Sequence, residues 1–192
     1  MGRVYWAAAL LLVLASCGSY RPPDNVNDAC AIARERPRFL RAMKASEQRW
    51  GVPVEVQMAT IRQESGFRGN AKTPYRWMLG IIPMGRQSSA FGYAQVLNTT
   101  WRDYKSETGR WGASRENIYD AADFIGWYMD KASRVAGISK TDARDQYLAY
   151  HDGIGGYMNR SYRNKGWLLA VAGRVQQNAN IYGAQLRSCR LI

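Results

Sequence analysis

Apolar residues recur here at three- and four-residue spacing in one segment after another, each closed by a glycine or another breaker. That punctuation calls for a set of short helices packed on one another, because an apolar helix stripe must be buried against a neighbour. Pro37 opens a run in which Leu40, Met43, Glu47 and Trp50 share a face before Gly51 stops it. A second helix is expected from about Pro53 to Ser65, with Val54, Met58 and Ile61 on one stripe and Gly66 as its end. Asn98 reads as the cap of another helix, terminated by Gly109. Ile118, Ala121, Ala122, Ile125 and Met129 form the most apolar stripe and are expected at the centre. Ser139 with Asp142 reads as a capping box for a helix carrying Tyr147, Leu148 and Tyr150. Gly153, Gly155 and Gly156 break the chain, and Trp167 to about Leu186 gives a last amphipathic helix. Residues 66–97 depart from the pattern. They are rich in Gly, Pro and Ser without a clean period, and read as a long ordered loop with short β pieces, a length of loop that usually serves function. No period-2 run is sustained and no repeat occurs, so the chain is expected to be one mainly α domain.

The ends read differently. Arg3 and the apolar run Val4 to Leu14 are too short for a spanning helix, which needs about 20 apolar residues, and suit a leader peptide. The run ends in Leu14-Ala15-Ser16-Cys17, which resembles the bacterial lipobox. That resemblance implies removal of residues 1–16, acylation of Cys17 and a membrane anchor of several acyl chains, since one chain alone holds weakly. An ordinary cleaved leader with an incidental Cys17 is the alternative. Gly18, in place of an Asp, favours the outer membrane, with the protein facing the periplasm. Residues 17–28, containing Pro22-Pro23, then form the acylated terminus and tether, and residues 29–192 the catalytic domain. Of the three cysteines, Cys30 and Cys189 remain, one near each end of the mature chain. An oxidising compartment favours their pairing over two free buried thiols. A single histidine excludes a Cys/His metal centre, and neither metal nor cofactor is expected. The formal net charge of +12 calls for an anionic partner. Nucleic acid does not meet an exported, anchored chain; peptidoglycan, with its lactyl and peptide carboxylates, does. A monomer is expected.

Glu64 stands at the C-terminal end of its helix, where the negative end of the helix dipole disfavours a carboxylate. Burial beside aromatic residues would push the same way, and a raised pKa is what a carboxyl needs to donate a proton near neutrality. Taken alone, a glutamate at a helix end reads more often as a solvated charge. Three segments change that reading. Arg62-Gln63-Glu64-Ser65-Gly66-Phe67-Arg68 resembles the Glu-Ser-x-Phe motif of lytic transglycosylases of the soluble-transglycosylase domain family. Ala90-Phe91-Gly92-Tyr93-Ala94-Gln95-Val96 resembles the family's Gly-Leu-Met-Gln segment, with Tyr93-Ala94 in place of Leu-Met. Leu148-Ala149-Tyr150-His151-Asp152-Gly153 resembles its Ala-Tyr-Asn-x-Gly segment, with His151 in place of Asn. The likeness spans approximately residues 37–175.

The resemblance implies a goose-lysozyme-like fold, within the α+β lysozyme-like superfamily, in which Glu64 projects into a saccharide groove. It further implies cleavage of the β-1,4 bond between N-acetylmuramic acid and N-acetylglucosamine in peptidoglycan glycan strands. Glu64 would act first as acid and then as base, leaving a 1,6-anhydromuramyl end. Ser65, Tyr93, Gln95, Tyr150 and His151 are carried over as substrate-binding positions. Gln95 reads alternatively as an amide bracing the loop, and His151 as a structural residue. Trp77, Tyr75, Phe91 and Tyr157 are candidates for stacking on sugars, or for the core. No acid in the 66–97 loop offers a second catalytic carboxylate, and Asp103, Asp120, Asp123 and Asp152 read as helix-face or capping residues. The apolar run Tyr75 to Pro83 lengthens the usual spacing between the first two motifs. Two alternatives stand beside the lyase: a goose-type lysozyme using water, and a wall-binding lipoprotein without turnover.

Overall fold

In the computed structural model the backbone is described for residues 20–78 and 82–192, with side chains described outside 76–83. The expected leader peptide, Cys17 and the Trp77 side chain therefore lie outside the described residues. The described residues form eight helices: α1 (Ala29–Glu35), α2 (Pro37–Trp50), α3 (Val54–Ser65), α4 (Asn98–Thr108), α5 (Ile118–Ala136), α6 (Ala143–Asp152), α7 (Ile154–Met158) and α8 (Gly166–Ser188). A 3₁₀ turn at Ser161–Asn164 precedes α8.

The boundaries follow local chemistry. Asp28 and Asn117 cap α1 and α5 through their side chains, satisfying backbone N–H groups that a first helical turn leaves open. α2 begins at Pro37, and α2, α3, α4 and α5 all end on a left-handed glycine: Gly51, Gly66, Gly109 and Gly137. Two expected caps are placed otherwise. Asn98 is the first residue of α4 and not its cap; the chain enters through Leu97, and Ser89 Oγ accepts the Asn98 N–H at 3.1 Å. At α6 the box is Asp142 with Asp145, whose N–H donates to the Asp142 carboxylate at 2.9 Å, while Ser139 stands outside it facing Thr141.

α5 is the centre of the packing. Ile118, Ala121, Ala122, Phe124, Ile125 and Met129 are all buried on it, α2 lies along it, and α3 and α6 lie along α8. Residues 66–97 contain a two-stranded antiparallel hairpin, β1 (Tyr75–Met78) and β2 (Ile82–Arg86), with a bulge between Tyr75 and Trp77. Isolated bridges join Phe91 to Lys72 and to Val96. The described residues of the apolar insertion, 75–78 and 82–83, thus belong to this hairpin. Cys30 and Cys189 form a disulfide that joins α1 to the end of α8.

Candidate active site

One groove of about 520 Å³ opens between the end of α3, the 71–97 loop, the middle of α5 and the end of α6. Glu64, Gln95, Phe124, Tyr128, Tyr150 and His151 line it, with Thr73 and Ser88 on the hairpin side and Asp152 at the α6 end. Glu64 is brought there by a strained turn. Gly66 and Phe67 both have left-handed backbones, with φ of 56° and 63°. Phe67 holds that unfavoured conformation because its ring is wholly buried and stacked on Phe39, with centroids 5.9 Å apart. The Glu-Ser-Gly-Phe segment is therefore a helix stop that fastens its aromatic residue into the core and leaves the carboxyl facing the groove.

Burial pushes the Glu64 carboxyl up to about 7, and a hydrogen bond with the Tyr147 side chain pulls weakly in the opposite sense. Among the described residues Glu64 makes no ion pair, so nothing cationic offsets the cost of enclosing its charge. Burial also raises the Tyr147 and Tyr150 hydroxyls, and the nearby Glu64 charge raises both further. The Tyr150 hydroxyl donates to the Ala94 carbonyl at 2.6 Å, so its proton is committed to the loop while its ring forms part of the groove.

The middle motif works as a backbone brace. Gly92 has φ +81°, and a Cβ there would meet the Arg115 carbonyl oxygen at 2.2 Å, so no side chain fits. Gln95 has a left-handed backbone, and its amide nitrogen donates to the Ala71 and Gly92 carbonyls, each at 2.9 Å. With both amide hydrogens so used, Gln95 can offer a substrate only its carbonyl oxygen.

Gln95, Tyr150 and His151 thus meet Glu64 at the groove, and two expected positions do not. Tyr93 is fully buried with its ring edge-on to Phe39, because the chain turns at Gly92 and directs it into the core. Ser65 is buried outside the groove lining and donates to the Ile61 carbonyl at 3.2 Å. Three of the four sugar-stacking candidates, all but Trp77, also stand elsewhere. Tyr157 donates to Asp145 and stacks on Tyr162, Phe91 carries Lys72 and Arg115 over its ring, and Tyr75 packs under Arg86. Tyr147, Phe124 and Tyr128 are the residues the motifs alone passed over. Tyr147 lies three positions before Tyr150, and that helical spacing was the available signal. Asp152 is a groove residue as well as a helix-end residue, and its carboxylate accepts hydrogen bonds from Ser161 and Lys165.

No curated protein matches the chain. The family described as transglycosylase SLT domain matches residues 5–189, nearly the whole sequence. With that coverage, and with Glu64 enclosed at the mouth of its own groove, the chain belongs to the transglycosylase SLT domain family, whose enzymes act on peptidoglycan.

Proposed function

We propose that this SLT-domain transglycosylase is a lytic one, breaking the β-1,4 bond between N-acetylmuramic acid and N-acetylglucosamine without water. Glu64 gives its proton to the bridging oxygen, which leaves as the hydroxyl of the departing sugar. The carbonyl oxygen of the muramyl 2-acetamido group bonds to the anomeric carbon as the glycosidic bond breaks. Glu64, now a carboxylate, takes the proton of the muramyl 6-hydroxyl. That oxygen displaces the acetamide and closes the 1,6-anhydro ring, leaving Glu64 protonated as at the start.

The observation that supports this reading is a carboxyl held near neutrality, able both to donate and to take back a proton at pH 7. Glycosidases that use two carboxylates need the second one free, as base or nucleophile. The other groove carboxylate, Asp152, is held by Lys165 and Ser161, and those two bonds lower it from the usual carboxylate range. The lipobox-like Leu14 to Cys17 supports an outer-membrane lipoprotein facing the periplasm, with residues 29–192 as its catalytic domain.

Digestion of purified sacculi followed by mass analysis of the released muropeptides tests the proposal. Anhydromuramyl ends are expected. Glu64→Gln should lower turnover by at least ~10³-fold, the scale of losing a group that both donates and accepts the proton, while still sedimenting with sacculi. Reducing muramyl ends alone would make the enzyme a hydrolase, and substantial turnover by Glu64→Gln would remove Glu64 from its role.

A further inference from the structure

The rings around Glu64 continue past the groove floor. Tyr147, which faces the carboxyl, lies 6.3 Å from the His151 ring, and His151 lies edge-on to the Trp167 indole at 5.0 Å. The three climb towards solvent: Tyr147 is 3% exposed, His151 is an exposed residue of the groove, and Trp167 is 58% exposed. Trp167 stands just beyond the groove lining and touches it through His151.

A single exposed tryptophan is ordinary on a protein surface; the fastening of this one is not. Asp152, next to His151, has a side chain only 6% exposed and is bonded by both Ser161 and Lys165. Lys165 immediately precedes α8, and its carbonyl accepts the Leu168 N–H at 2.8 Å, so the start of that helix is clipped to the rim of the groove. Trp167 is the second residue of α8. The indole is thereby held where it projects, and a ring fixed beforehand loses little freedom when a ligand covers it. Partial desolvation at the groove, where one side of the ring faces its neighbours, lowers the His151 imidazole from its ordinary range.

We propose that Trp167, braced by the edge-on ring of His151, forms a saccharide platform at the α6–α8 end of the groove, stacking the apolar face of an N-acetylhexosamine beyond the cleaved linkage. The preferred substrate is then a β-1,4 strand long enough to reach from Glu64 to Trp167. An indole presents a large apolar face with a polar edge, which suits a ring that is apolar on one face and hydroxylated around its rim. The proposal rests on the reading of the groove as a glycan site.

Soluble glycan strands sorted by length test it on the full chain. Trp167→Ala should raise KM about tenfold on strands that reach the platform, which corresponds to ~1.4 kcal/mol of binding. On the shortest strand cleaved, kcat and KM should stay at the wild-type values. Trp167→Phe, which keeps a ring, should retain most of the preference for length. Trp111→Ala removes a ring that is 66% exposed but outside the groove lining, and sets the background. Equal effects of Trp167→Ala on long and short strands, or none on either, would overturn the platform. A wrong lyase assignment looks different: the wild type would release no anhydro product, yet Glu64→Gln would still bind long strands about tenfold more weakly once Trp167 is removed. If Glu64→Gln binds no strand of any length, the platform falls.

Discussion

Glu64 and Tyr147 act on each other with opposite signs, and the balance can be measured. Enclosure raises the carboxyl to about 7, while the Tyr147 hydroxyl favours the ionised form by donating to it. The proposed first step needs Glu64 protonated, so kcat/KM should fall as pH rises through that value. Removing the donor in Tyr147→Phe leaves desolvation less opposed and raises the carboxyl further. The falling limb of the pH profile should move to higher pH, by up to about one unit for a hydrogen bond worth ~1 kcal/mol. A limb unmoved, or moved to lower pH, would show that Tyr147 does not donate to Glu64 in solution. This residue also marks what sequence reading reaches. The meeting of Glu64, Gln95, Tyr150 and His151 at one groove was legible because their motifs name them. Ser65 and Tyr93 belong to the same motifs and serve the scaffold instead, since a contiguous motif does not say which side of a turn each side chain takes.

At the scale of elements, the helices were legible wherever punctuation and burial agree. The stops at Gly51, Gly66, Gly109 and Gly137 all take the left-handed backbone that closes a helix. In residues 66–97 short β pieces were expected but not their pairing as the hairpin of β1 and β2, because the short strands show no sustained alternation and owe their pairing to each other. Nor did spacing disclose how closely α2 approaches α5. A Cβ at Gly126 would lie 2.3 Å from Ser46 Oγ and 2.6 Å from the Trp50 ring, and Ser46 Oγ donates to the Ala122 carbonyl at 2.8 Å. Beside this contact Asp123, nearly buried, accepts from Trp50 Nε1 at 3.0 Å, Tyr104 hydroxyl at 2.7 Å and Arg49 at 3.2 Å, tying α2, α4 and α5 together. Gly126→Ala must therefore push α2 outward. A loss of ~1–3 kcal/mol is expected from overpacking of this kind, read by urea unfolding. A neutral or stabilising outcome, as helix propensity alone would give, would mean that the two helices separate without cost.

For the whole molecule, the question is what keeps the two ends of the domain together. Cys30 and Cys189 are 159 positions apart in sequence and bring α1 against the end of α8. The same junction is bonded without them. The Ala29 N–H donates to the Gln185 side chain at 2.8 Å, the Gln185 amide donates to the Asn27 carbonyl at 3.1 Å, and the Tyr182 hydroxyl donates to the Val26 carbonyl. The folded state therefore has little to lose locally when the link is cut, and most of the effect falls on the unfolded chain. Opening a loop of this length should cost about 4–5 kcal/mol by loop-closure entropy. For a domain of this size that is a fall in Tm of roughly 10–20 °C. Dithiothreitol should produce this fall in the wild type and add nothing to the paired Cys30→Ser, Cys189→Ser variant. Neither cysteine lines the groove, so turnover well below the lowered Tm should remain near the wild-type level. If reductant leaves Tm unchanged, the ends are held by the hydrogen bonds alone; if it abolishes turnover in the cold, the groove depends on the link through a coupling that these contacts do not supply.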